Sequence, residues 1–214
     1  MSLRAGLDAG LAALGLSLQP AQVEQLLGYL DLIGKWNRVY NLTAVRDPGE
    51  MLTHHLLDSL AVLAPLRRQG GDSGRLLDVG SGAGLPGVVV AIGCPGWQVD
   101  CVDAVGKKAA FIQQVAAALK LPNLRGIHAR VEAVRSPYEV VSSRAFSSLA
   151  DFVQGSRQAL AGQGVWLAMK GRRPQEEMDA LPEDIEVFHV EQLTVPGLGA
   201  ERCIVWMRPA RHGG

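Results

Sequence analysis

The stretch "LLDVGSGAGLPG", residues 76–87, decides how this chain folds. Two leucines lead into a carboxylate, Asp78, and Gly80, Gly82, Gly84 and Gly87 follow in quick succession. A loop of this composition, leaving a strand and entering a helix, presents backbone N–H groups to a ligand. The missing side chains let that ligand come close.

Outward from the loop, short apolar runs alternate with helical patterns. Strands are expected at 75–79, 98–102, 124–129, 139–143, 165–169, 185–195 and 202–207, with helices over 105–119 and 149–160. Such alternation predicts an α/β fold, a Rossmann-like parallel sheet with helices on both faces. "PGLGAE" leaves no room for a helix between the last two strands, so they should form a terminal antiparallel hairpin. The expectation is a seven-stranded, mostly parallel sheet with one reversed strand.

The first 70 residues read differently. Val23, Leu26, Leu27, Leu30 and Ile33 recur at helical spacing behind Pro20, which suits a first turn. After the polar break "NRVYNLTAVRD", Asp47, Pro48 and Glu50 look like the start of a helix with an apolar face of Met51, Leu52, Leu56, Leu60 and Leu63. Pro65 and "RRQGGDSG" should end that helix. This divides the chain into a helical extension or cap, 1–70, and an α/β domain, 71–214.

Composition bounds the partners. Apolar residues make up 48% and charged residues 20%, as in a soluble globular chain. No apolar run approaches the roughly 20 residues that span a bilayer, and the N-terminus reads as an amphipathic helix rather than a signal peptide. Three cysteines without metal spacing predict reduced thiols and a cytoplasmic protein. Net charge is zero but unevenly spread: 1–103 carry 7 basic and 10 acidic side chains, 104–175 carry 11 and 3, and 176–214 carry 3 and 8. A basic middle between acidic flanks can give a neutral protein one positive face for phosphates, or merely solvate its helices. Nothing calls for an obligate interface, so a monomer is expected.

Two ligands compete for the glycine loop. Gly82, Gly84 and Gly87 satisfy G-x-G-x-x-G, and Asp103 has the spacing of a ribose-binding acid in a dinucleotide fold. Pro86 in the turn opposes this, as does Asp78, a poor neighbour for a pyrophosphate but a good one for a cationic amine. D-x-G-x-G after a strand, with an acid ending the next strand, resembles the S-adenosylmethionine site of class I methyltransferases. That resemblance implies that Asp103 accepts the ribose hydroxyls and that Val131 and Glu132 flank the adenine.

A narrower resemblance runs through seven blocks in order: "KWNRVYNLTAV", "HHLLDSL", "LLDVGSGAGLPG", "VDAVGKKAAFIQQV", "RVE", "SSRAFSSL" and "MKG". Together they are similar to the bacterial small-subunit rRNA guanine-N7 methyltransferases, the glucose-inhibited division protein B family, over nearly the whole chain. The resemblance implies transfer of a methyl group from S-adenosyl-L-methionine to a guanine N7 of 16S rRNA, with the rRNA or the small ribosomal subunit as partner. By position it implies cofactor contacts at Gly80, Leu85, Asp103, Val131, Glu132 and Arg144, beside Asp78, Gly82 and Gly84 of the loop. Departures are modest: Ala83 where proline is common, "VDAV" for "LDSL", and "YEVV" with Glu139 for an aspartate, which could shift the start of strand four.

The chemistry is consistent with what the sequence lacks. Guanine N7 has an in-plane lone pair and no proton, so methylation needs placement rather than a general base. A [DNS]-P-P-[YFW] motif for amino acceptors is missing after strand four, where "SRAF" stands; the "SPY" at Ser136 precedes that strand. No cysteine is placed there for attack on a pyrimidine. A ring nitrogen or a hydroxyl remains as acceptor.

Arg144 is assigned either the donor's carboxylate or the O6 edge of the acceptor guanine, against a surface pairing with Asp151. Lys170 holds a phosphate or the base, or else is a solvated strand end. Arg172, Arg173 and Arg202 are phosphate candidates near it, with Lys107 and Lys108 as further RNA contacts and Arg202 also as a substrate-positioning group. Asn41 and Thr43 lie where two helices should cap the cleft. Trp36 is expected to pack in the core, and Tyr40 is left open between packing and base stacking. His54, His55 and Asp58 have spacing that can hold a metal, but a hydrogen-bonded helix face accounts for them better and no metal is expected. Three other readings remain: a small-molecule methyltransferase, a non-catalytic RNA-binding protein, and an NAD-dependent oxidoreductase lacking a Tyr-x-x-x-Lys pair.

Overall fold

The computed structural model describes residues 2–144, 146 and 148–210. Met1, 211–214, and Ala145 and Ser147 of the "SSRAFSSL" block lie outside the described residues.

The helical part is built from local signals. Ser2 Oγ caps α1 (Leu3–Ala13) by accepting the Ala5 N–H at 3.2 Å. Pro20 opens α2 (Pro20–Tyr40), which ends at Asn41 in the left-handed conformation, φ 48°. Asp47 accepts the Glu50 N–H at 2.9 Å and starts α3 (Pro48–Met51). The helix then widens into a π-helical segment, Leu52–Leu57, and closes with one turn, α4 (Asp58–Leu60).

Pro65 does not terminate this run. The chain breaks earlier, at Ala61 and Val62, and Pro65 sits inside the first turn of α5 (Leu63–Gly70), which continues through Arg67 and Arg68. A first-turn N–H has no helical partner in any case, so proline is tolerated there.

The α/β part follows the expected alternation: β1 (Gly74–Val79), α6 (Gly87–Gly93), β2 (Trp97–Asp103), α7 (Gly106–Ala118), β3 (Leu124–His128), β4 (Tyr138–Ser143), α8 (Leu149–Ser156), β5 (Leu160–Lys170), α9 (Gln175–Asp179), β6 (Ile185–Leu193) and β7 (Arg202–Pro209). The seven strands form one sheet in the order β3-β2-β1-β4-β5-β7-β6. The first five pair parallel with one another, and β7 runs antiparallel to both β5 and β6. Glu139 leaves the start of β4 at Tyr138 and ties it to β1, its Oε2 accepting the Arg75 N–H at 2.7 Å.

The order reverses between β1 and β4, and open α/β sheets form their ligand crevice at that point, outside the carboxyl ends of the strands. One face of the sheet packs on α1, α2, α6, α7 and the 51–66 helices. The other packs on α8 and the segment after β3. Trp97, Trp166 and Trp206 are fully buried among these layers.

Gly87 lets α6 lie close on the sheet. A Cβ there would overlap Cys101 Sγ and come within 3.0 Å of Asp78 Cβ. Gly87→Ala should therefore destabilise the fold by about 1–3 kcal/mol through overpacking, read as a lower urea midpoint with an unchanged slope.

Candidate functional site

Most N–H groups of the glycine loop are engaged inside the protein rather than presented to a ligand as the sequence suggests. Gly80 N–H donates to Val102 O at 2.9 Å, and Gly84 and Leu85 N–H donate to Ser81 O at 2.8 and 3.1 Å. Gly82 N–H donates to Asp103 Oδ2 at 3.1 Å, and Gly87 N–H to Asp78 Oδ2 at 2.9 Å. A loop whose donors are engaged inside the protein makes a poor nest for a pyrophosphate. It offers shape instead: Gly80 and Gly82 have φ of 62° and 58°, and a Cβ on either would meet nothing within 4 Å.

Asp78 lies beneath the loop. Its carboxylate is fully buried, taking the Gly87 N–H on one oxygen and the Ser142 hydroxyl on the other at 3.0 Å. Burial pushes its pKa up to about 7, against the pull of those two hydrogen bonds. Asp78 thus fastens β1, α6 and β4 to one another, and its reach toward a ligand passes through the loop.

The other expected cofactor residues lie at or after the carboxyl ends of β1 to β4. Asp103, at the end of β2, is buried and also accepts the Val105 N–H at 2.9 Å, with Lys108 Nζ 3.6 Å away. Each of its oxygens keeps a second lone pair. Val131 and Glu132 follow β3 in a short 3-10 turn, Val131 buried and Glu132 exposed. Leu85 is buried in the core behind the loop. Arg144 stands at the tip of β4, next to β1.

Arg144 faces a second space, a cavity of about 400 Å³ lined by His54, His55, Asp58, Met169, Lys170, Gly171 and Arg202. Its Nη1 donates to His54 O at 2.9 Å and to Asp58 Oδ2 at 3.2 Å. Arg202 Nε donates to the other oxygen of Asp58 at 3.0 Å. Lys170 Nζ is held by both oxygens of Glu177, at 3.1 and 2.8 Å. The surface pairing of Arg144 with Asp151 is replaced by this bond to Asp58.

Thr43 joins the helical cap to this cavity, its Oγ1 lying 2.8 Å from His55 Nε2. Burial first, then the charge of Arg144, lowers the His55 pKa and keeps the ring neutral near pH 7. Asn41 is exposed and accepts from Arg46 at 3.4 Å, away from the cavity lining. Trp36 packs edge-on against Phe111 with ring centroids 5.3 Å apart, while Tyr40 is 41% exposed. Asp58 has both oxygens occupied by arginines, and no cluster of three or more metal-ligating side chains occurs among the described residues.

The basic middle of the chain becomes an edge. Lys107, Lys108, Arg130, Arg144, Arg172 and Arg173 follow the carboxyl ends of β2 to β5, and Lys170 is the last residue of β5. Lys107, Arg172 and Arg173 are exposed. No helix among the described residues is long and apolar enough to cross a membrane.

Sequence reasoning missed three supports. Tyr29, fully buried on α2, donates its hydroxyl to Ala83 O at 2.5 Å and so braces the glycine loop from the helical cap. Ser142 carries Asp78, and Glu177 restrains Lys170 while also accepting the Leu149 N–H at 2.8 Å. Tyr29 alone left a trace, as a polar-tipped aromatic on an apolar helix face.

Comparisons with known proteins place nearly the whole chain in a family. Residues 22–205 match the family model described as rRNA small subunit methyltransferase G. The chain is 65% identical to ribosomal RNA small subunit methyltransferase G of Acidovorax ebreus (strain TPSY), over 97% of this chain and 96% of the relative. It is 67% identical to the protein of that name from Polaromonas sp. (strain JS666 / ATCC BAA-500), over 94% and 92%. Among solved structures, it resembles a SAM-dependent methyltransferase from Aquifex aeolicus with a TM-score of 0.56 and 16% identity, covering 79% of this chain and 97% of that one.

The buried carboxyl gives a pH signature. Asp78 titrates at about 7 when folded against an ordinary value of 3.8, so burying its charged form opposes folding. The penalty is absent below about pH 4, grows as pH rises, and is complete above about pH 7. Asp78→Asn removes it, so the Tm of the variant relative to the parent should be higher at pH 8 than at pH 5 by calorimetry. An equal difference at both pH values would place the titration elsewhere.

Proposed function

The chain belongs to the rRNA small subunit methyltransferase G family, and from that membership we propose that it transfers the methyl group of S-adenosylmethionine to N7 of one guanine in 16S rRNA. The observation that carries the reading is the open, side-chain-free surface of the loop at the β1/β4 switch point, with its N–H groups engaged inside. That surface suits a donor without phosphates. The residues fit such a donor: Gly80, Gly82, Gly84 and Leu85 would bound it, Asp103 would accept its ribose hydroxyls, and Val131 and Glu132 would flank its adenine. Asp78 would hold the loop in shape from below. Arg144 would meet its carboxylate at the boundary with the acceptor.

The donor supplies an electrophilic methyl on a sulfonium. The chain's own residues supply position. Tyr29 and Asp78 fix the loop, and Arg144 and Asp58 fix the wall between the loop and the 400 Å³ cavity. No side chain is required to remove a proton, because N7 carries none. Lys107, Lys108, Arg172 and Arg173 on the carboxyl edge would contact RNA phosphates, and Lys170, Arg202 and, through His55, Thr43 would position the substrate. Asn41 lies too far from the cavity for the role its sequence position suggests. We read the protein as a cytoplasmic monomer acting on 16S rRNA or the small ribosomal subunit, with residues 1–70 as a cap over the cleft.

The test is transfer of labelled methyl groups to small subunits from cells lacking this protein, beside a small-molecule extract. Label in 7-methylguanosine of 16S rRNA is expected. Label confined to the extract would move the acceptor to a small molecule. No label with donor binding intact would favour a non-catalytic RNA-binding protein.

Gly82→Asp probes the donor site directly. Aspartate tolerates the left-handed backbone at this position, so the fold should persist. Its side chain would enter the open surface beside Asp103, and donor affinity should fall by roughly a hundredfold or more. Calorimetry showing the parental affinity would displace the donor from this loop.

A further inference from the structure

Asp58 is a buried carboxylate with two arginines on it, and nothing assigned above to the donor needs both. Its side chain is 4% exposed, against 25% for Arg144 and 24% for Arg202. Each oxygen takes one guanidinium, at 3.2 and 3.0 Å. Arg144 is further fixed by the His54 carbonyl, and Arg202 Nη1 by the carbonyl of Glu201 at 2.8 Å. Both arginines keep unused N–H groups, and both line the cavity of about 400 Å³. His55 Nδ1, on the same wall, is buried without a partner among the described residues.

An arginine pair oriented by a shared carboxylate is a geometry for a tetrahedral or planar oxyanion. Two sources of oxyanion exist here, the carboxylate of the donor and a phosphodiester of the RNA. Sheet order separates them. The donor loop leaves β1, and the sequence of strands beyond it is β4, β5, β7. Adjacent strands lie about 4.8 Å apart, so Arg202 on β7 stands roughly 14 Å from the loop's strand, with Lys170 on β5 between it and Arg144. The donor carboxylate reaches Arg144; the far half of the cavity lies beyond it. The base is also a poor occupant for that half, because methylation at a ring nitrogen places positive charge on the purine, which two arginines would oppose.

We propose that the Arg144–Arg202 cavity binds a backbone phosphate of the RNA beside the target nucleotide, and that Asp58 is the positioning residue that holds the two arginines as a clamp. The proposal rests on the methyltransferase reading given above. Asp58 costs the RNA site one unit of positive charge and repays it with geometry.

Steady-state methylation of small subunits tests this, with donor affinity measured separately by calorimetry. Arg202→Gln should raise the KM for subunits about tenfold, with kcat and donor affinity within about twofold. It should also reduce the salt dependence of subunit binding by about one phosphate contact. Arg202→Lys should restore part of the loss. Asp58→Asn adds a net positive charge, so simple electrostatics predicts tighter RNA capture. The clamp predicts the opposite, a KM about tenfold higher.

A lowered KM for Asp58→Asn, or an unchanged KM and salt slope for Arg202→Gln, would overturn the proposal. A loss of donor affinity in Arg202→Gln would reassign the cavity to the donor carboxylate. Failure of the parent protein to label subunits at all would instead sink the underlying reading.

Discussion

The carboxyl of Asp78 joins three elements that otherwise meet only at the crevice. It ends β1, receives the first N–H of α6 through Gly87, and receives the Ser142 hydroxyl from β4. A buried carboxyl is expensive, and this one is pushed up to about 7 by its surroundings. What it provides is closure: the glycine loop must leave β1, turn over Asp78 and enter α6 within a fixed distance. Gly84 and Gly87 accept that tightness because a Cβ on either would strike the core, whereas one on Gly80 or Gly82 would point into open space. The same backbone run is thus packed on one side and bare on the other. That asymmetry leaves a bare backbone face at the crevice.

The helical cap takes part in this surface. Tyr29 on α2 fixes Ala83 O, and Thr43 after α2 fixes His55 in the π-helical segment. The segment of 52–57 then delivers the His54 carbonyl and the Asp58 carboxylate to Arg144. A wider helical turn of this kind re-aims side chains that a regular helix would place elsewhere, and such turns recur at functional sites. The cap and the sheet also share one hydrophobic core. The glycine loop and the Arg144 cavity are therefore linked through packing as well as through hydrogen bonds.

Legibility in the sequence followed the range of the interactions. The seven strands and their order of appearance were readable because each carries its own apolar run and its own turn signals. The reversed last pair was readable from the shortness of "PGLGAE". The placing of the loop after β1, of Asp103 at the end of β2 and of Arg144 just after β4 was readable in the same way. Three kinds of feature were not. The break at Ala61 and Val62 was misplaced to Pro65, because a proline in a first turn looks the same as one beyond a last turn. The inward engagement of the loop's N–H groups depends on Val102 and Asp103, partners supplied by the next strand. The second bond to Asp58 comes from Arg202, 144 positions away, whereas its spacing to His54 and His55 suggested only a hydrogen-bonded helix face. Local codes announce elements; partners brought together by topology are silent until the chain is folded.

Charge across the carboxyl edge follows from the proposed chemistry. A ring-nitrogen acceptor gains positive charge in the transition state, and a bare cation roughly 7 Å away, at an effective dielectric near 20, would oppose it by about 2 kcal/mol. Yet RNA must be held by cations. The structure meets both demands by separation and pairing. Lys107, Arg172 and Arg173 are exposed toward solvent, where screening weakens their effect on the centre. The three cations nearest the cavity each carry a carboxylate: Arg144 and Arg202 share Asp58, and Lys170 is held by Glu177. Their fields are partly cancelled at a distance while their N–H groups keep direction at close range. Recognition of an oxyanion then depends on contact geometry, and the reacting base faces one net positive charge rather than three.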